Sequence, residues 1–263
     1  LSSEQHNSLQ DVERLAMIAP WTTHPQSIRT IFFDAGFTLL HPTISMLTMV
    51  QQVCEQQGIS PSPAAIQESM SFAERYFHGN HHVVHRTWAD DDAIATFWRA
   101  YYTDILKPLV PAEVLPQCIE TLEGHFDSPL GWQPFADVVP ILQRLQHRYT
   151  LGIISDWGHS LGPILSEHHL SQFFDVLLVS ATNRTAKPEQ YLFEEALRRA
   201  DALGDYTLYV GDTYVQDILG ARGAGIHPVL IDRQQYHDSK DIDCPVITDL
   251  YQLVTLLDLE ESL

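Results

Sequence analysis

Three apolar runs in the chain each end on a residue that can do chemistry. Ile31-Phe32-Phe33 runs into Asp34, residues 149–154 end at Ser155-Asp156, and residues 206–210 end at Gly211-Asp212; Lys187 stands in a loop between the second and the third. A short continuous apolar run bounded by turn residues suits a strand buried on both faces. A charge at the end of such a strand is costly unless it is paired, hydrogen-bonded or on a metal. In a doubly wound sheet, ligands bind just past the carboxyl ends of the strands. Taken alone, Asp34 is equally well read as a helix N-cap closing a βα turn, Ser155 as a capping hydroxyl and Lys187 as a solvated loop lysine. Their convergence on one sheet edge says more than any one of them. Two carboxylates and a lysine compensate one another poorly as core groups. Placed around a hard cation and facing an anion, they form a phosphoryl-transfer site.

The elements that must position these residues alternate along the second half of the chain. Strands are expected over 149–154, 174–179, 206–210 and 225–231, and helices over 161–169, 189–200, from 212 to about 224, and over 250–257. Strand–helix alternation argues for a parallel sheet with helices on both faces. Between the Asp34 strand and this series, the pattern is helical. Ile44, Leu47, Val50, Val53 and Cys54 recur at helical spacing, and Phe72, Tyr76, Phe77, Trp88, Phe97, Trp98, Tyr101 and Leu106 fit the inner faces of packed helices. His41-Pro42-Thr43 reads as a turn, and 131–137 as a loop capping a helix to about residue 147. The expected organisation is therefore an N-terminal extension (1–27), an α/β, Rossmann-like doubly wound core (28–43 and 128–263) and a helical unit inserted after the first strand (44–127).

Composition narrows the partners. The 263 residues carry 34 acidic against 15 basic side chains, a formal net charge of -19. Such a chain is repelled by nucleic acid and by anionic membranes, and an anionic substrate needs local positive charge to offset the long-range field. No stretch reaches the roughly 20 apolar residues of a membrane span. Cys54, Cys118 and Cys244 follow no metal-ligand spacing and read as thiols of a reducing compartment, so a cytoplasmic monomer or homodimer is expected. His78, His81, His82 and His85 form a histidine-rich stretch. Gly79 and Asn80 interrupt the helix that would align them, so a solvated turn is expected there rather than Zn2+ binding.

With these motifs in order, residues 28–259 resemble the haloacid dehalogenase-like hydrolase superfamily, in its subgroup with a helical cap. Asp34 to Thr38 is similar to the first motif, Ser155 to the second, Lys187-Pro188 to the third, and Gly211-Asp212-Thr213-Tyr214-Val215-Gln216-Asp217 with Gly220-Ala221 to the acidic fourth. The resemblance implies Asp34 as a nucleophile forming an aspartyl-phosphate. It implies Ser155 and Lys187 as phosphoryl ligands, Thr38 as a turn residue beside them that steadies Asp34, and Mg2+ held by Asp34, Asp212 and the backbone carbonyl of Gly36. Asp217 is a further metal contact, or else the residue that orients Lys187. The implied substrate is a small phosphorylated metabolite.

One position departs from the pattern. The family's phosphatases carry a second aspartate two residues after the nucleophile, which protonates the leaving oxygen and then activates water; this chain has Gly36. General acid–base help is worth about 100- to 10,000-fold, so low turnover is expected unless His41, a cap residue or water supplies the proton. The family's metal-independent 2-haloacid dehalogenases also lack that aspartate, because halide leaves without a proton. Asp212 and Asp217 together argue for a cation and against that branch. A non-catalytic member that binds a phosphometabolite or a protein is the third reading.

Overall fold

The computed structural model describes residues 19–78, 87–236 and 242–259. A six-stranded, all-parallel sheet lies at its centre: β1 (Thr30–Phe33), β4 (Thr150–Ser155), β5 (Val176–Val179), β6 (Thr207–Gly211), β7 (His227–Ile231) and β8 (Val246–Ile247). The spatial order is β5-β4-β1-β6-β7-β8. β1 is thus the pivot: the chain adds β4 and β5 on one side of it, then crosses to add β6, β7 and β8 on the other. Ligands of open α/β sheets bind at such a switch point, and Asp34 is the first residue beyond β1.

Every residue of β1 and β6 is buried, as expected of strands covered on both faces. The period-2 alternation sorts their side chains. Ile31 and Phe33 join one apolar layer with α5 (Val138–Leu145), α6 (Leu161–Glu167) and α8 (Leu250–Leu256). Phe32 and Tyr209 face the opposite layer, with Leu192, Phe193 and Ala196 of α7 (Gln190–Arg199). Ala19, Trp21 and Ile28 are buried in the first layer, so the end of the expected N-terminal extension packs on the core.

Between Pro42 and Trp132 the described residues include four α-helices, α1 (Met46–Gln56), α2 (Pro63–His78), α3 (Asp91–Leu106) and α4 (Leu115–Phe126). Ser45 caps α1 by accepting from Thr48 N, and Asp90 caps α3 by accepting from Asp92 N and Ala93 N. They share an apolar core of their own, including Val50, Val53, Cys54, Ile66, Tyr102, Ile105, Leu106, Cys118 and Leu122. Phe72, expected on an inner face, is 58% exposed; its neighbours Ser69 and Ala73 face inward instead. Of the histidine-rich stretch, His81, His82 and His85 lie outside the described residues, and only the backbone of His78 is described.

Two segments read as turn and loop pair with each other. β2 (Leu40–Pro42) and β3 (Trp132–Pro134) form an antiparallel ribbon with Leu40 opposite Pro134 and Pro42 opposite Trp132. The chain leaves for the helical unit through one strand and returns through the other. Three-residue strands, each closed by a proline, are too short to show alternation in sequence.

Candidate active site

Asp34, Ser155, Lys187 and Asp217 form one buried hydrogen-bond network. Register explains half of it: β1 pairs with β4 and β6 with Phe33 opposite both Ile153 and Val210, so Asp34 leaves β1 within one residue of the level of Ser155 and Asp212. Ser155 Oγ donates to Asp34 Oδ1 at 3.0 Å. Lys187 Nζ donates to the same oxygen at 2.7 Å and to Asp217 Oδ1 at 2.6 Å. Lys187 is thus no solvated loop lysine; it is 4% exposed. Its backbone is held as well, by Lys187 N donating to Asp156 Oδ1 at 2.9 Å.

Asp217 reaches this network through a widened turn. The segment Tyr214–Leu219 is π-helical before the chain tightens into an α-turn at Gly220–Gly223. Such bulges recur at functional sites. Thr213 N donates to Asp217 Oδ2 at 2.8 Å, while Oδ1 faces Lys187 Nζ and, at 2.9 Å, the Tyr209 hydroxyl. Gly211, the last residue of β6, leaves the room: a Cβ there would stand 2.3 Å from Asp217 Cγ. Both carboxylate oxygens of Asp217 thus accept hydrogen bonds, Oδ1 from Lys187 and Tyr209 and Oδ2 from Thr213 N.

The electrostatics follow from burial. Desolvation raises the Asp34 carboxyl above its ordinary value, Lys187 opposes this, and Asp217 adds to it. Burial alone would lower the Lys187 ammonium, but Asp217 and Asp34 outweigh it and hold it well above its usual range. Asp212, half-buried, is pushed up to about 8 by desolvation, then by the charges of Asp34 and Asp217. Burial likewise pushes Asp156 up to about 7, against the pull of Lys187.

The donor set fits a hard divalent cation. Asp34, Asp212 and Asp217 each offer a carboxylate oxygen, all within 4.8 Å of one another, and oxygen donors are what such a cation takes. The Asp212 carboxyl is raised first by burial and then by the charges of Asp34 and Asp217, and a cation would relieve the second effect.

Thr38 differs from expectation. It is fully buried, but among the described residues its Oγ1 has no hydrogen-bond partner, and none of its recorded bonds reaches Asp34. Its carbonyl instead accepts from Arg233 Nε and Nη2 at 3.1 and 2.8 Å, and Arg233 also pairs with Asp137. His41 packs its ring on Phe135 at 4.5 Å. Gly36 has no left-handed backbone; the residue that does is Phe37, at φ 56°. What crowds Gly36 is Trp157, whose six-membered ring lies 3.1 Å from where a Cβ would be. Sequence reading assigned no role to Asp156, Tyr209 or Trp157. Tyr209 is hidden as one more apolar strand residue. The other two follow Ser155 directly, and that adjacency was the available signal.

Comparison with known proteins agrees with this arrangement. The sequence profile described as "Haloacid dehalogenase-like hydrolase" matches residues 31–231. The chain is 27% identical to haloacid dehalogenase-like hydrolase domain-containing protein 3 of Homo sapiens, over 86% of this chain and 88% of that one. It is 32% identical to the glyceraldehyde 3-phosphate phosphatase of Methanothermobacter thermautotrophicus over 48% of this chain and 59% of that one. A phosphatase of the same superfamily from Thermococcus onnurineus shares the fold, with a TM-score of 0.61 and 22% identity over 89% of this chain and 100% of that one. The profile spans the strands that carry Asp34, Ser155 and Asp212 together with the Lys187 loop between them, and on that match the chain belongs to the haloacid dehalogenase-like hydrolases.

Proposed function

We propose that this hydrolase is a Mg2+-dependent phosphatase that acts on a small phosphorylated metabolite through a phosphorylated Asp34, with the helical unit as its cap. The observation that carries the reading is Asp34 Oδ1, gripped by Ser155 and Lys187 beside the Asp212 and Asp217 carboxylates. Asp34, the Gly36 carbonyl and Asp212 would hold the cation, with Asp217 beside them; when bound, it neutralises charge between carboxylate and phosphoryl group.

Asp34 attacks phosphorus, the P–O bond to the leaving group breaks, and that oxygen departs with the electron pair. Ser155 Oγ and Lys187 Nζ, already aimed at the attacking oxygen, turn towards the phosphoryl oxygens and stabilise their charge. Water then attacks the aspartyl-phosphate, releasing phosphate and regenerating the carboxylate. Gly36 supplies no proton in either step, so the leaving oxygen takes its proton from water. The three cysteines, buried and free, support a reducing, cytoplasmic setting, with the chain as monomer or homodimer. Among the described residues no helix is long and apolar enough to cross a membrane.

Gly36 also suits a metal-independent 2-haloacid dehalogenase; the crowded Asp212 and Asp217 weigh against it. The test is an assay of purified protein with an aryl phosphate, glyceraldehyde 3-phosphate and 2-chloropropionate, each with Mg2+ and with EDTA. Phosphate release that needs Mg2+ is expected. Chloride release in EDTA would replace this reading with the dehalogenase, and no release from any of them would favour a binding protein.

A further inference from the structure

The space beside Gly36, two residues past Asp34, holds an aromatic side chain. Trp157, two residues beyond Ser155, lays its six-membered ring 3.1 Å from the position of a Cβ on Gly36. The indole is fixed there. Its Nε1 donates to Ser160 Oγ at 3.0 Å, and its backbone N donates to Ser180 Oγ at 3.1 Å. Trp132 meets it edge-on with centroids 4.6 Å apart, and Phe37 meets Trp132 edge-on at 6.1 Å. Phe37 is 48% exposed, and Trp132 and Trp157 are half-buried, so the row presents aromatic surface.

We propose that Trp157, with Trp132 and Phe37, is the specificity surface for the leaving group, and that it selects phosphate monoesters whose leaving group is an aromatic ring. This rests on the phosphatase reading and deepens it. Two independent features point the same way. A planar ring packs well against a fixed aromatic row, in offset or edge-to-face contact. An aryl oxygen also departs without prior protonation, so its loss needs no acid at position 36. In the transfer step the aryl O–P bond breaks, the electron pair leaves on the aryl oxygen, the Asp34 O–P bond forms, and the aryloxide takes a proton from water. Gly36 and Trp157 are a matched pair in this arrangement: the ring lies 3.1 Å from where the first atom of a side chain at 36 would stand, so an acid there would have to push it aside.

Calorimetric titration with phenylphosphonate and methylphosphonate, in the presence of Mg2+, tests the surface without requiring turnover. Wild type should bind the phenyl compound more tightly by about three- to tenfold, the range of one good aromatic contact. In Trp157→Ala the ratio of the two affinities should fall to about one. Trp157→Leu, which fills much of the space without a ring, should do the same and serves if the alanine variant does not fold. An equal affinity for both phosphonates in wild type, or an undiminished ratio in the folded variants, overturns the proposal. If methylphosphonate binds and the phenyl preference is missing, only the aromatic surface falls. If neither phosphonate nor inorganic phosphate binds, the phosphatase reading falls and takes the surface with it.

Discussion

Asp34 Oδ1 is where three functions meet: it accepts from Ser155, it pairs with Lys187, and it belongs to the acidic cluster. Asp34→Asn keeps the shape of the side chain but removes its nucleophilic oxygen. Mg2+-dependent phosphate release should fall by more than about 1,000-fold, the scale of losing a residue that acts covalently, with the circular dichroism spectrum unchanged. Activity near that of wild type would place the chemistry elsewhere. Asp212 carries the pH dependence. Its carboxyl ionises near 4 in an unfolded chain and at about 8 in the folded one, so over that window the folded state holds a proton that the unfolded state has lost. Stability contributed by this group therefore falls as pH rises. In EDTA, Tm should decline from about pH 5.5 to about pH 8, and Asp212→Asn should flatten the decline. Added Mg2+ should raise Tm more at the upper end, because protons compete with the cation at the lower. A Tm in EDTA that rises through this range would show that Asp212 is not the crowded group described.

At the scale of elements, the site depends on how β6 hands over to the π-turn. Asp217 must fold back over Gly211 to reach Lys187, and Gly211 has no side chain to prevent it. Gly211→Ala forces a Cβ against the Asp217 carboxylate. It should cost about 1–3 kcal/mol, as other overpacked sites do, and a loosened Lys187 should lower activity along with stability. Urea unfolding measures the first effect; an unchanged midpoint would mean that the turn relaxes freely. A second junction lies beneath the Asp34 turn. Arg233, beyond β7, grips the Thr38 carbonyl and the Asp137 carboxylate, whose Oδ2 also accepts from Leu250 N at the start of α8. Arg233→Leu strands a buried carboxylate and should cost about 3 kcal/mol. That lowers Tm by roughly 6–12 °C in a chain of this size, at about 2–4 °C per kcal/mol. A loss within about 1 °C would show that the pair contributes little.

For the whole molecule, a net charge of -19 opposes every anionic substrate, while the cation and Lys187 attract it only at close range. Salt screens the long-range repulsion first, because the Debye length is about 10 Å at 0.1 M and the site groups are in contact. At saturating Mg2+, affinity for inorganic phosphate should therefore tighten, by about twofold, as sodium chloride rises from about 0.01 to about 0.1 M. Steady weakening would mean that local attraction dominates throughout. The helical unit joins the core through the β2–β3 ribbon and also where Asp91 at the start of α3 accepts from His159 N at 2.9 Å. His159 lies two residues past Trp157, so the loop after β4 supplies both the Trp157 ring and a contact with the helical unit.

What the sequence by itself determined is what local pattern can encode. Apolar runs at Ile31–Phe33 and before Ser155 and Gly211 mark strands because a strand buried on both faces needs them, and their order with the intervening helices leaves a parallel sheet as the economical packing. The placement of Asp34, Ser155 and Asp212 on one edge follows from that topology alone. Tertiary structure decided everything that rests on contact between distant segments. Whether Asp217 faces a cation or Lys187 depends on a π-turn and on the clearance over Gly211, neither of which leaves a periodic trace. Thr38 shares a motif with Asp34, yet its carbonyl serves Arg233, 195 residues away. Gly36 reads as a missing acid in sequence, and only the fold shows the Trp157 ring packed 3.1 Å from where its Cβ would stand. Local propensity is a property of neighbours along the chain. These contacts are made by neighbours in space, and only the folded register brings them together.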